Sequence, residues 1–216
     1  MRKFTDDSFG LLTFNKTLPL PDFWFNFQLG IEHILDPNGY DHILFVLALC
    51  VVYSYREWKQ VAWLVTAFTL GHSLTLALAT FRIINVPSDI IEFLIPITII
   101  FTCAINFTNQ PETSAPIHRR KTRQRYLLAA IFGLIHGLGF SNFLRSILPK
   151  DVTIWKPLLA FNLGLEIGQL VIVATALFLG YLLVELGRVH RREWILVVSG
   201  IITGVALTIV QAKWIF

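Results

Sequence analysis

Charge is what this chain has least of. Only 15% of its 216 residues are Asp, Glu, Lys or Arg, against roughly 25% in a soluble domain. A water-soluble fold of this size is excluded, because 55% of the residues are apolar and 18 are Phe, with too little polar surface to cover them. A disordered chain is excluded for the same reason. With two cysteines, Cys50 and Cys103, both inside apolar runs, the chain is no disulfide scaffold. Nothing in residues 1–22 resembles a secretory leader, since Asp6 and Asp7 stand where its apolar core would be. The net charge of +4 is small and sits mostly in short loops, which argues against nucleic acid as a partner.

What is present is long apolar runs: Val61–Thr80, Ile90–Phe107, Tyr126–Leu148 and Leu158–Val184. Each approaches the ~20 residues that cross the hydrocarbon core as a helix. Ile43–Tyr55, extended back to Tyr40, and Trp194–Thr208, extended to the C-terminus, are shorter candidates. The expected fold is therefore all-α: a polytopic transmembrane bundle of about six spans. Before it, Phe23–Leu35 is aromatic and too short to cross, which predicts an interfacial or re-entrant helix. Residues 1–22 read as an extramembrane segment and 23–216 as one membrane domain.

Orientation follows from Lys and Arg. Arg119, Arg120, Lys121, Arg123 and Arg125 fill the 109–125 loop, Arg188, Arg191 and Arg192 the 185–193 loop, and Arg56 and Lys59 the first. Six spans put all three on one side, which the positive-inside rule makes cytoplasmic. Gly133/Gly137, Gly164/Gly168 and Gly200/Gly204 are spaced for close helix packing. A faint internal similarity links Phe68-x-Leu70-x-His72, Phe132-x-Leu134-x-His136 and Phe161-x-Leu163.

The informative residues are polar ones stranded in these runs, where an ionisable group costs at least ~2.5 kcal/mol and needs a role. They are His33, Asp41, His42, His72, Glu92, His136 and Glu166, with Ser73 beside His72 and with Asn162 and Gln169 near Glu166. At 1.5 Å per residue, Asp41, His42 and Glu92 fall within about 5 Å of the outer boundary. His72 and Glu166 fall about 12 Å down, and His136 about 18 Å. Imidazole and carboxylate together are the ligands of Ni²⁺, Co²⁺ and Zn²⁺. Neighbouring residues on a helix point about 100° apart, so one of Asp41 and His42 is expected to bind metal directly and the other to orient it. Ser73, Glu92, Asn162 and Gln169 are candidates for the surrounding polar shell. Packing explains some of these residues equally well, since Asp41 and Glu92 each lie in a helix first turn and intramembrane Asn and Gln commonly bond across helices.

Several of these residues stand in recognisable order. His33-Ile34-Leu35, Gly39-Tyr40-Asp41-His42-Ile43-Leu44-Phe45 and Phe68-Thr69-Leu70-Gly71-His72-Ser73-Leu74-Thr75-Leu76 resemble the HupE/UreJ family of membrane proteins. So do His136-Gly137-Leu138-Gly139-Phe140 and Phe161-Asn162-Leu163-Gly164-x-Glu166-x-Gly168-Gln169. The resemblance implies a polytopic protein of the bacterial inner membrane, tied to hydrogenase and urease maturation, with nickel permeases among its members. It also implies that His33, Asp41, His42, His72, His136 and Glu166 handle the metal. Three functions stay open: a divalent-metal permease, an intramembrane zinc hydrolase with Asp41 or Glu166 as general base, and a metal-binding accessory. The metal (Ni, Zn or Co), the substrate and the oligomeric state are not fixed by the residues.

Overall fold

Apolar segments with no water to satisfy their backbone have one local solution, the helix. The computed structural model describes residues 23–37, 39–108, 119–141, 144 and 155–214, and among these it is helical with no strand. We number the helices α1 (Phe23–Leu35), α2 (Asp41–Cys50), α3 (Trp58–Thr80), α4 (Ser88–Thr108), α5 (Arg119–Gly139), α6 (Trp155–Gly180) and α7 (Arg191–Ala212). A single turn, Tyr55–Glu57, leads into α3, and α6 continues through wider turns over Tyr181–Leu186. Four segments are long and apolar enough to cross a membrane: Tyr55–Thr80, Ser88–Thr108, Trp155–Leu186 and Arg191–Ala212. The chain is an integral membrane protein by this measure.

Two expectations need correction. The first span, expected over Tyr40–Tyr55, is the ten-residue helix Asp41–Cys50, too short to cross alone. It stops because Ser54 begins a new helical start, its backbone N–H donating to Glu57 Oε2 at 2.9 Å in a capping box. The basic 109–125 segment is helical from Arg119 onward, while residues 109–118 lie outside the described residues. So do the 1–22 segment and residues 145–148, the last of the run expected over Tyr126–Leu148.

Helix directions follow from which residues meet. Gly30 packs on Phe161 and Leu165, and Gly168 on Ile31 and Ile34, so α1 runs parallel to α6. Gly71 meets Ala130 and Leu134 while Gly137 meets His72 and Thr75, so α3 and α5 are also parallel. Tyr55 stacks edge-on to Tyr181 at 4.9 Å, and Thr66 bonds Glu166, which sets α3 against α6. Glu92 pairs with Lys213, and Asn106 reaches Ser199, which sets α4 against α7. Asn106 also donates to the Ala48 carbonyl at 2.8 Å, and Asp41 shares a cleft with Glu92, so α2 follows α4. Hence α1, α2, α4 and α6 run one way and α3, α5 and α7 the other.

We take the end where α3 finishes and α4 begins as the upper end. Helix α1 lies along the upper part of α6, and Tyr53, just past α2, packs on Leu177 and Tyr181 near its lower end. The two short helices thus follow one another in one direction, interrupted over residues 36–40. Pro37 and Gly39 make the interruption, with Gly39 N–H closing a turn on the Asp36 carbonyl at 3.2 Å. The short N-terminal helix has its expected bounds and packs along α6 through Gly30 and Ile34, leading into α2 across this break.

Each parallel pair is held by glycine on both sides. A Cβ on Gly30 would strike the Phe161 carbonyl and one on Gly164 the Phe27 carbonyl. The α3–α5 crossing repeats this, Gly71 against the Ala130 carbonyl and Gly133 against that of Phe68. In each pair the carbonyl struck is three residues before the facing glycine, so the two crossings share one register. The lower end is tied by Arg191, whose Nη2 donates to the Val52 carbonyl at 2.7 Å and reaches Glu57 at 3.4 Å.

Candidate metal site

The interruption between α1 and α2 sets the site. Because α1 stands above it, His42 at the start of α2 is not near a boundary as its sequence position suggests. It is 4% exposed, at the level of His72 on α3 and His136 on α5, with ring centroids 5.9 and 5.2 Å away. His33, near the end of α1, comes down to meet them, 4.7 Å from His42 and 6.1 Å from His72. One ring nitrogen from each of His33, His42 and His72 lies within 4.8 Å of the others.

The protonation pattern is set by fixed acceptors. Asp41 Oδ1 accepts both the backbone N–H of His42 at 2.9 Å and its Nδ1 at 3.1 Å. The Phe132 carbonyl accepts Nδ1 of His136 at 2.9 Å. A carboxylate and a carbonyl can only accept, so in both neutral rings Nδ1 carries the hydrogen and Nε2 keeps its lone pair. Those two Nε2 atoms are buried with no partner, as are Nε2 of His33 and both nitrogens of His72. An orphaned buried nitrogen costs about 1–3 kcal/mol, and five such atoms on four neighbouring imidazoles are hard to explain as packing. A tetrahedral ion at 2.0–2.1 Å from its ligands sets donors about 3.4 Å apart. Small ring rotations bring three imidazoles to that spacing, so the residues fit a divalent transition metal. His136 stands next to the triad, behind His42.

Aromatic rings wall the cluster. Phe140 stacks on Phe161 at 4.9 Å, and both face His33, at 3.9 and 5.6 Å. Below, fully buried Phe45 and Phe68 pack at 4.9 Å and each lies within about 5 Å of His136. An open cleft of about 920 Å³ leads from the upper side to His33, His42 and His136. Its lining carries Glu32, Asp36, Asp41 and Glu92, and among the described residues no Lys or Arg. Carboxylates gathered at a mouth raise the local concentration of cations.

Not every expected residue joins this cluster. Glu92 lines the cleft rim, where it binds Lys213 at 2.6 Å and holds that ammonium above its usual pKa. Glu166 is bonded to Thr66 on the α3–α6 face, away from the triad, and Gln169 bonds Thr69 there. Asn162 donates to the Leu158 carbonyl of its own helix at 2.8 Å, and Ser73 is half-buried. Sequence reasoning missed the aromatic walls and the acidic lining at Glu32 and Asp36.

The arrangement defines a class: a helical membrane protein with a buried imidazole site reached through an acidic cleft, at the break between two short helices. A family model described as HupE / UreJ protein matches residues 14–216, nearly the whole chain. The chain belongs to the HupE/UreJ family. No curated protein and no solved structure matches it.

The role of Asp41 is open to direct measurement. Replacing it with Asn keeps the shape but removes the charge that orients His42. Nickel affinity of the purified protein, by calorimetry, is expected to fall by roughly 10–100-fold. An unchanged affinity would make Asp41 a helix-start residue only.

Proposed function

We propose that the chain is a permease for a divalent transition metal of the Ni²⁺, Co²⁺ and Zn²⁺ class. The observation that carries this is the set of partnerless imidazole nitrogens at the end of an acidic cleft. In this reading the chain makes six crossings, the first being α1 and α2 together. Helix α5 supplies another, apolar from Tyr126 onward. The basic lower end faces the cytoplasm by the positive-inside rule, so the cleft opens to the outside of a bacterial inner membrane. An ion is drawn in by Glu32, Asp36 and Asp41 and loses its water to His33, His42 and His72. His136, beside His42, accepts it next. The Asp41 carboxylate offsets the charge that the ion brings into a low-dielectric site.

Uptake of radioactive nickel, cobalt or zinc into proteoliposomes tests this. The wild-type chain is expected to accumulate at least one of them, and His42→Ala to abolish the accumulation. Undiminished uptake by that variant would end the permease reading.

A second reading draws on the aromatic floor. With Phe45 and Phe68 sealing the site from below, three imidazoles and an open cleft also suit a zinc hydrolase that takes its substrate from above. Asp41 would then act on bound water. Hydrolysis of a lipid or peptide substrate by the zinc-loaded protein, without transport, would favour it. An accessory that holds metal without moving it is expected to show neither activity.

A further inference from the structure

The polar face shared by α3 and α6 is not part of the histidine cluster. Glu166 is the one charged side chain on α6 between Lys156 and Glu185. Its hydrogen-bond partner is the Thr66 hydroxyl, 2.5 Å from Oε1, and among the described residues no cation pairs with it. One turn nearer the histidines, the Thr69 hydroxyl lies 2.7 Å from Gln169 Oε1. Gln169 is fully buried, and its Nε2 has no partner. Thr69 has one hydroxyl hydrogen and a second acceptor in reach, the Val65 carbonyl at 3.1 Å. When that hydrogen goes to Val65, the Gln169 amide turns over and donates to Thr69. Its carbonyl oxygen then takes the partnerless position. A carboxylate, two hydroxyls and an amide oxygen then share one seam. Thr66 lies six residues along α3 from His72, about 9 Å towards the lower end.

We propose that Glu166, Thr66, Thr69 and Gln169 form a second, oxygen-lined site for a divalent cation below the histidines. A lone carboxylate within a span calls for a proton or a cation, and the buried Gln169 amide adds a polar atom with nothing else to bind. Oxygen donors suit hard ions such as Mn²⁺ and Mg²⁺ and hold nickel or zinc less firmly than imidazole does. A weak site after a strong one lets an ion leave the histidines downwards, as conduction requires. This transfer role rests on the permease reading; the existence of the site does not.

The test uses the full chain in detergent. In the His42→Ala/His72→Leu background, Mn²⁺ is titrated and the free ion read by electron paramagnetic resonance. One equivalent is expected to bind, and adding Glu166→Gln or Thr66→Val is expected to weaken it on the order of tenfold or more. Two variants guard against misfolding, since Thr66→Val keeps shape and charge. In the wild-type background, Glu166→Gln is expected to keep nickel affinity within about twofold while nickel uptake falls about tenfold. The proposal is overturned if the histidine-less protein binds no Mn²⁺, or if its binding survives both changes. It is also overturned if Glu166→Gln weakens nickel binding as much as His72→Leu. If the wild-type chain shows no nickel uptake, the permease reading falls, and the Mn²⁺ titration alone decides the site.

Discussion

Replacing His72 with Leu is expected to remove tight metal binding while leaving the metal-free protein at least as stable as the wild type. His72 is fully buried, and neither of its ring nitrogens has a partner. Each orphaned nitrogen costs about 1–3 kcal/mol when the chain holds no ion. An apolar side chain of similar bulk removes that cost, and packing on Phe68, 6.0 Å away between centroids, is kept. With metal the balance reverses, because one of three mutually close donors is gone. The loss of nickel affinity should exceed the roughly 10–100-fold expected for a partner that only orients a ligand. Calorimetry gives the affinity. Reaction of the buried thiols Cys50 and Cys103 with a fluorogenic reagent on heating gives the stability. A metal-free His72→Leu protein melting well below the wild type would mean that His72 is a packing residue, and the cluster would lose its strongest member.

The sequence is read differently for class and for site. Missing charge and long apolar runs dictate helices in lipid, and these are local properties, so the membrane class and most helix positions are legible. Depth is not local. Counting residues from run ends puts His42 near a boundary and His136 far below it, yet the two rings lie 5.2 Å apart. Phe23–Leu35, read as an interfacial or re-entrant helix, packs along α6 and leads into α2 across Pro37 and Gly39, which brings His33 to His42. A signal for this was present: Phe27-Gln28-Leu29-Gly30 repeats the pattern of Phe68-Thr69-Leu70-Gly71 and Phe161-Asn162-Leu163-Gly164. All three glycines sit at close helix crossings, so α1 carries the mark of a helix packed within the bundle. Residue type, counted depth and the family resemblance group Glu166 with the histidines; the antiparallel placement of α3 and α6 puts it on Thr66.

Gly71→Leu and Gly133→Leu are expected to be among the most damaging single changes in the chain. A Cβ on either residue meets backbone of the facing helix, the Ala130 or the Phe68 carbonyl, with further backbone atoms at 3.0–3.1 Å. Backbone cannot rotate aside as a side chain can, so α3 and α5 must separate along the crossing that holds His72 beside His136. Overpacking a core costs about 1–3 kcal/mol when side chains yield, and here the larger part must come from moving two helices. A drop of about 3 kcal/mol corresponds to roughly 6–12 °C for a chain of this size. Gly200→Leu and Gly204→Leu provide the comparison, since nothing lies within 4 Å of a Cβ at either position. Melting should stay within a few degrees for these two, about what an exposed substitution produces. All four glycines lie within helices and receive the same side chain, so composition and propensity are matched, and only the approach of a second helix differs. If the inner pair melts like the outer pair, α3 and α5 do not cross at these glycines. The level at which four histidines meet would then have to be redrawn. If only the inner pair collapses, and takes nickel binding with it, the crossing and the metal site are one structural unit.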